Sequence, residues 1–197
     1  MAAAAEGELS VVEAARRDRL VVVTGLPRSG TSMAMRMLGA GGVPLVDDGR
    51  RAPSPSNPHG WFEDARVRRL REDASWLRGV VGSAVKIVLP LAAAIPTDLP
   101  CDFVWMRRPI AEVLESQRRM LAGGASEPWG ASGPGDEEIL ARAFERSMEE
   151  FARLRDDDRH VLELEYGGVL SDPDRAAGSL AGFLGEPFDR VAAARAG

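Results

Sequence analysis

The densest chemistry in the chain is Gly25-Leu-Pro-Arg28-Ser29-Gly30-Thr31-Ser32. Two glycines let backbone N–H groups approach an anion closely, Thr31 and Ser32 can donate from their hydroxyls, and Arg28 offers a planar fork suited to a tetrahedral oxyanion. The flanks say how such a loop is held. Leu20-Val-Val-Val precedes it, too short for a helix and suited to a buried strand. Ser29 to Leu38 follows and reads as a helix, with Met33, Met35, Met37 and Leu38 apolar and Arg36 among them. Strand, glycine loop and helix N-terminus together form a cradle for a phosphate-like group.

The spacing is that of the Walker loop with one change. Thr31 stands where the lysine belongs, and the cation has moved into the loop as Arg28. A lysine occurs elsewhere only once, at Lys86, near the end of the apolar run Ala84–Leu89. Further candidates lie at the ends of predicted strands: Arg108 after Asp102–Met106, and Tyr166 after His160–Glu165. Helices are predicted over 61–77, from Ile110 to Leu121, from Asp136 with a stripe of Leu140, Ala143, Phe144, Met148 and Phe151, and over 174–184. Val43–Gly60, with four prolines, and Gly123–Gly135, which holds Trp129, read as loops bordering a site. Alternating strands and helices predict a three-layer α/β/α domain with a mainly parallel, P-loop-like sheet over 19–197, preceded by an arm over 1–18. Ligands in such sheets bind beyond the carboxyl ends of the strands, where Arg28, Arg108 and Tyr166 lie.

The 197 residues carry a net charge of −5, so nothing global attracts nucleic acid or an anionic membrane, and any anion site must be local. One cysteine, Cys101, rules out an internal disulfide and suits a reducing compartment. No apolar run has the length of a membrane span, and the start lacks the pattern of a signal peptide, so the chain reads as cytoplasmic. The preference for Arg over Lys, with abundant Ala and Gly, suggests a GC-rich bacterial genome.

The loop resembles the 5′-phosphosulfate loop of sulfotransferases that use 3′-phosphoadenosine 5′-phosphosulfate. Three further stretches resemble that family in the same order. Asn57-Pro58-His59-Gly60-Trp61-Phe62-Glu63 is similar to a segment of its bacterial branch. Arg108 and Ser116, eight residues apart, resemble its 3′-phosphate motif. Tyr166, with Leu170-Ser-Asp-Pro173 and Phe183-Leu-Gly185, resembles its tail. The resemblance implies that Arg28, Ser29, Gly30, Thr31 and Ser32 hold the 5′-phosphosulfate, that Arg108 and Ser116 hold the 3′-phosphate, and that Tyr166 contacts adenine. It implies no metal, and transfer to a hydroxyl or amine of an acceptor that is a small molecule, a sugar or a lipid headgroup.

The sequence departs from the best-known cytosolic branch of that family in three places. Val88 stands where that branch has its catalytic histidine, two residues after Lys86. Met33 replaces the tryptophan that stacks on adenine. Nothing up to Gly197 matches the basic glycine-rich segment of the 3′-phosphate site. Sulfuryl transfer needs a base for the acceptor hydroxyl and cations at the transferring group; Arg28 and Lys86 are the cations. The base falls to Glu63, at the expected start of the 61–77 helix beside two aromatics, with His59 as the alternative. Apolar neighbours would raise the pKa of Glu63 and a helix N-terminus would lower it. The competing class is a P-loop nucleotide kinase or NTPase, which needs a lysine at position 31 and a strand-end carboxylate for Mg²⁺; Thr31 and Met106-Arg107-Arg108 argue against both. A non-catalytic nucleotide-binding module of the same fold is the third reading.

Overall fold

The structure is a computed structural model, and it describes residues 18–55, 57–89, 91–122, 136–156, 160–185 and 187–197. Four strands form one parallel sheet: β1 (Leu20–Gly25), β2 (Ala84–Lys86), β3 (Cys101–Arg107) and β4 (His160–Glu165), in the order β2-β1-β3-β4. β1 is central and all six of its residues are buried, which is why it reads as an unbroken apolar run instead of an alternating one. In the register, Val22 sits opposite Val85 on one side and Phe103 on the other.

Alternate strand residues feed two apolar layers. Val22, Val85, Phe103 and Trp105 face one side. There they meet α2 (Ile110–Ala122) and α3 (Asp136–Asp156) through Val113, Phe144 and Phe151. The Phe151 ring packs edge-on to Phe103 and Trp105, with centroids 5.7 and 4.9 Å apart. Val21, Val23, Val104 and Met106 face the other side. They are covered by α1 (Thr31–Ala40), α4 (Tyr166–Ser171), α5 (Pro173–Leu184) and α6 (Arg190–Ala196). Helices on both faces of a parallel sheet make the three-layer α/β architecture expected from the sequence. Among the described residues, no helix is long and apolar enough to cross a membrane.

The N-terminal edge of the sheet is tied by charge. Asp102, buried in β3, accepts from Arg19 Nε at 2.6 Å and lies 2.9 Å from His160 Nδ1, and the His160 ring stacks on Phe183.

Two features differ from the sequence expectation. Residues 61–77 do not form a helix; they make an extended stretch followed by two 3₁₀ turns, Ala65–Arg69 and Ser75–Val80. Short polar side chains supply the local alternative to an α-helix. Asp64 accepts the Arg66 N–H and guanidinium, and Asp73 accepts the Ser75 N–H and hydroxyl. Val67, Leu70 and Leu77 are still buried, so the apolar spacing was real although its period was not α-helical. The sequence reading also left out α4 and α6: Gly167-Gly168 disguises the first, and no apolar stripe marks the second. The arm over 1–17 and the loop with Trp129 lie outside the described residues.

Candidate functional site

At the carboxyl end of β1 the chain turns sharply. Gly25 (φ 147°) runs against the Met106 carbonyl of β3, where a Cβ would sit 2.5 Å from that oxygen. Arg28 takes φ 69° and Gly30 φ 101°, both left-handed, and α1 begins at Thr31. Gly30 caps the helix without a side chain, and the first turn holds no acidic residue. The Met33 and Ala34 N–H groups donate back to the Gly30 carbonyl, at 2.9 and 3.1 Å, and the N–H groups of Thr31 and Ser32, which have no acceptor within the helix, give its end bare donors and a partial positive charge. Ser29 is the exception in the loop. Its N–H bonds to the Leu26 carbonyl at 3.1 Å, and its buried hydroxyl lies behind the loop near Gly25. The structure does not bring the Ser29 side chain to the cleft that the other loop residues line.

Arg28, Arg108, Ser116 and Tyr166 converge on one side of the loop. Arg28 Nε donates to Ser116 Oγ at 3.2 Å, and Arg108 Nη1 donates to the Arg28 carbonyl at 3.1 Å. The Arg108 guanidinium stacks 4.1 Å from the Tyr166 ring centroid, and Glu112 accepts from its Nε at 3.1 Å. The Tyr166 ring in turn lies against Gly30, where a Cβ would meet Cδ2 at 2.6 Å. Four residues, from the loop, the turn just after β3, α2 and α4, thus form one wall although they are far apart in sequence.

On the other side stands a charged cluster. Lys86 projects from the end of β2, its side chain only 5% exposed. Its ammonium donates to the Trp61 carbonyl, to Glu63 Oε1 at 3.1 Å and to Ser32 Oγ at 3.4 Å. Arg51 Nη1 donates to both Glu63 oxygens at 3.2 Å, with its guanidinium 3.3 Å from the Trp61 ring centroid. Asn57 Nδ2 donates to Ser32 Oγ at 3.1 Å. Between Trp61 and Glu63, Phe62 sits at φ 50°, a left-handed conformation costly for a bulky residue. On either side of that turn, the Trp61 carbonyl and the Glu63 carboxylate both accept from Lys86.

The Glu63 expectation is corrected in one respect. It precedes the short 3₁₀ turn Ala65–Arg69 and does not open an α-helix. Burial pushes its carboxyl up, but Lys86 and Arg51 outweigh burial and hold it below its ordinary value. The two cations thus favour its ionised form. Burial also draws the Lys86 ammonium below the ordinary lysine range, against the pull of Glu63.

The two walls and the loop enclose a cleft of about 320 Å³. Arg28, Gly30, Thr31, Ser32, His59, Glu63, Lys86, Arg108, Ser116 and Tyr166 all line it, so of the eleven residues expected at the site only Ser29 is absent from its lining, with Met33 and Val88 present as well. His59 lies exposed at the rim. Arg51 escaped the sequence reading: it lies in a proline-rich loop with no periodicity, and the only hint was the doubled Arg50-Arg51 upstream of an aromatic–carboxylate segment.

No protein-family model matches the sequence, and no curated protein gives a significant match. Among solved structures, the chain is similar to the crystal structure of the sulfotransferase STF1 from Mycobacterium tuberculosis H37Rv. The TM-score is 0.52 at 16% identity, over 91% of this chain and 70% of that one. The chain thus has a sulfotransferase-like α/β fold, and its cleft lies at the carboxyl ends of the parallel strands.

Proposed function

We propose that the protein is a sulfotransferase that takes its sulfuryl group from 3′-phosphoadenosine 5′-phosphosulfate and passes it to a hydroxyl of an acceptor. The observation that carries the reading is a single cleft with two kinds of wall. One side joins the bare N-terminus of α1 to Arg28, Arg108, Ser116 and Tyr166; the other holds the Lys86–Glu63–Arg51 cluster. The sulfotransferase-like fold supports it.

The donor set fits an adenosine bisphosphate moiety: bare helix donors, two guanidiniums and three hydroxyls for the phosphates, and a tyrosine ring for a base. Gly30, Thr31 and Ser32 hold the 5′ end with Arg28. Arg108 and Ser116 hold the 3′-phosphate, and Tyr166 and Met33 flank adenine. The donor, when bound, supplies a sulfuryl group on a good leaving phosphate. Glu63 takes the acceptor proton as a new S–O bond forms and the S–O bond to the 5′-phosphate breaks. Lys86 and Arg28 stabilise the charge that passes to the departing phosphate oxygen. Arg51 positions Glu63, and Val88 leaves the site without the histidine of related enzymes. His59 is the second candidate for the base.

Thermal unfolding with adenosine 3′,5′-bisphosphate tests the reading, since a ligand that binds only the folded state raises the melting point by mass action. The wild type is expected to gain stability with the bisphosphate, and Arg108→Ala to lose most of that gain. Binding of ATP–Mg²⁺ with no response to the bisphosphate would overturn the proposal in favour of a nucleotide kinase.

A further inference from the structure

Behind the Lys86–Glu63 pair lies a second cavity of about 380 Å³. It shares Arg51, Glu63, Lys86 and Val88 with the first and contains none of the glycine-loop residues. The charged cluster is therefore a partition, reached from the loop on one side and from the second cavity on the other. The strained turn at Phe62 sets Glu63 in that partition.

The lining of the second cavity specifies what it would take. Val67, Val88 and Leu91 give an apolar wall. The carboxylates are already satisfied. Asp48 accepts the N–H groups of Arg50 and Ala65, Asp64 is held by Arg66, and Glu63 by Lys86 and Arg51. The cations are not all matched. Among the described residues Arg68 forms no ion pair, and Arg50 reaches Asp48 only at 3.7 Å with its side chain 78% exposed. A volume near the low end of ordinary small-molecule sites admits a compact ligand.

Building on the sulfotransferase reading, we infer that this cavity is the acceptor site and that the acceptor is a small hydroxy acid. Its hydroxyl meets Glu63 at the partition, its apolar body lies on Val67 and Leu91, and its carboxylate faces Arg68 and Arg50. The class is a hydroxyaryl or hydroxyalkyl carboxylate, in place of a neutral sugar or a cationic headgroup.

The test is calorimetric titration, at low salt, of protein saturated with adenosine 3′,5′-bisphosphate. The probes are 4-hydroxyphenylacetate and its methyl ester, which differ in charge and little in shape. The acid is expected to bind about tenfold tighter, the scale of one charge-assisted hydrogen bond. Arg68→Gln, at an exposed position, is expected to bring the acid down to the ester's affinity and to leave bisphosphate binding unchanged. Equal binding of acid and ester, or a preference that survives Arg68→Gln together with Arg50→Gln, overturns this inference alone. Failure of the bisphosphate to bind overturns the donor reading and this inference with it.

Discussion

Replacing Glu63 with Gln keeps the shape of the partition and removes its negative charge. The consequence falls on Lys86, whose ammonium is buried and would keep the Trp61 carbonyl and Ser32 hydroxyl as acceptors, with Arg51 as an uncompensated like charge. Breaking a fully buried ion pair costs about 3–5 kcal/mol. Glu63 is 30% exposed, and Gln retains a carbonyl acceptor, so we expect about 2 kcal/mol at pH 7. For a chain of this size that is a fall in Tm of about 4–8 °C. The sign of the pH dependence follows from Lys86. Its folded pKa is depressed, and loss of Glu63 depresses it further, so the penalty of holding the cation is relieved as pH rises through the folded value. The gap between variant and wild type should narrow on the alkaline side. Lys86→Met removes the buried cation and leaves Glu63 with Arg51, at an expected cost of about 1 kcal/mol for the stranded acceptors. The double variant should cost at least about 1 kcal/mol less than the sum of the two, because the cation stranded by one change is absent in the other. The assay is denaturant unfolding of the four proteins at pH 7 and pH 9.5, with sulfuryl transfer from the labelled donor in parallel. Transfer by Glu63→Gln should fall about 10²–10⁴-fold, since an amide cannot accept the proton. Strictly additive stabilities would refute the coupling. Wild-type turnover in Glu63→Gln would remove it as the base and turn attention to His59→Ala.

Two further outcomes are expected. Gly30→Ala places a Cβ 2.6 Å from Tyr166 Cδ2 at φ 101°, so the variant should lose about 1–3 kcal/mol of stability and most bisphosphate binding, read in one thermal-shift series. Asp64 and Glu63 both titrate below their ordinary values, Asp64 chiefly through its hydrogen bond from Arg66 and Glu63 because its two cations outweigh burial. Their stabilisation is present above the unfolded carboxylate values and is lost as pH falls through the folded ones, so acid unfolding should set in below about pH 4, and the stability lost on acidification should be smaller for Asp64→Ala, which lacks that carboxylate, than for the wild type.

Parallel strands, the glycine loop and the strand-end arginines were legible because each depends on local pattern. A run such as Leu20-Val-Val-Val can hardly be anything but a buried strand, and a glycine followed by a helix start fixes where bare N–H groups point. The convergence of Arg28 on Ser116 was anticipated only in outline, since the sequence pairs Ser116 with Arg108 and says nothing of which arginine reaches it. Residues 61–77 misled because an apolar spacing of three or four is shared by α-helix and successive 3₁₀ turns, and Asp64 and Asp73 decide between them through bonds invisible in the periodicity. Arg51 was invisible for a different reason. Its role is set by the stacking of a loop on Trp61, a contact made by tertiary geometry and by no local preference. Ser29 shows the reverse failure, a residue with suitable chemistry turned inward by the tightness of its own turn.

The position of Lys86 explains the departure with which the loop began. A Walker lysine at residue 31 would extend from the first turn of α1 toward the terminal phosphate of a triphosphate. Here Thr31 occupies that turn, and the cation arrives from the neighbouring strand, reaching Ser32 Oγ from the side at 3.4 Å. A cation delivered laterally stands beside the end of the helix instead of beyond it. It also stands within 3.1 Å of Glu63, so that the cation and the carboxylate form one unit. A lysine in the loop would lack that partner, and Glu63 would rest on Arg51 alone. On the proposed reading, the residue at position 31 and the single lysine at position 86 are one feature: the charge stands away from where a long phosphate chain would need it and at the place where a short donor and a hydroxyl acceptor would meet.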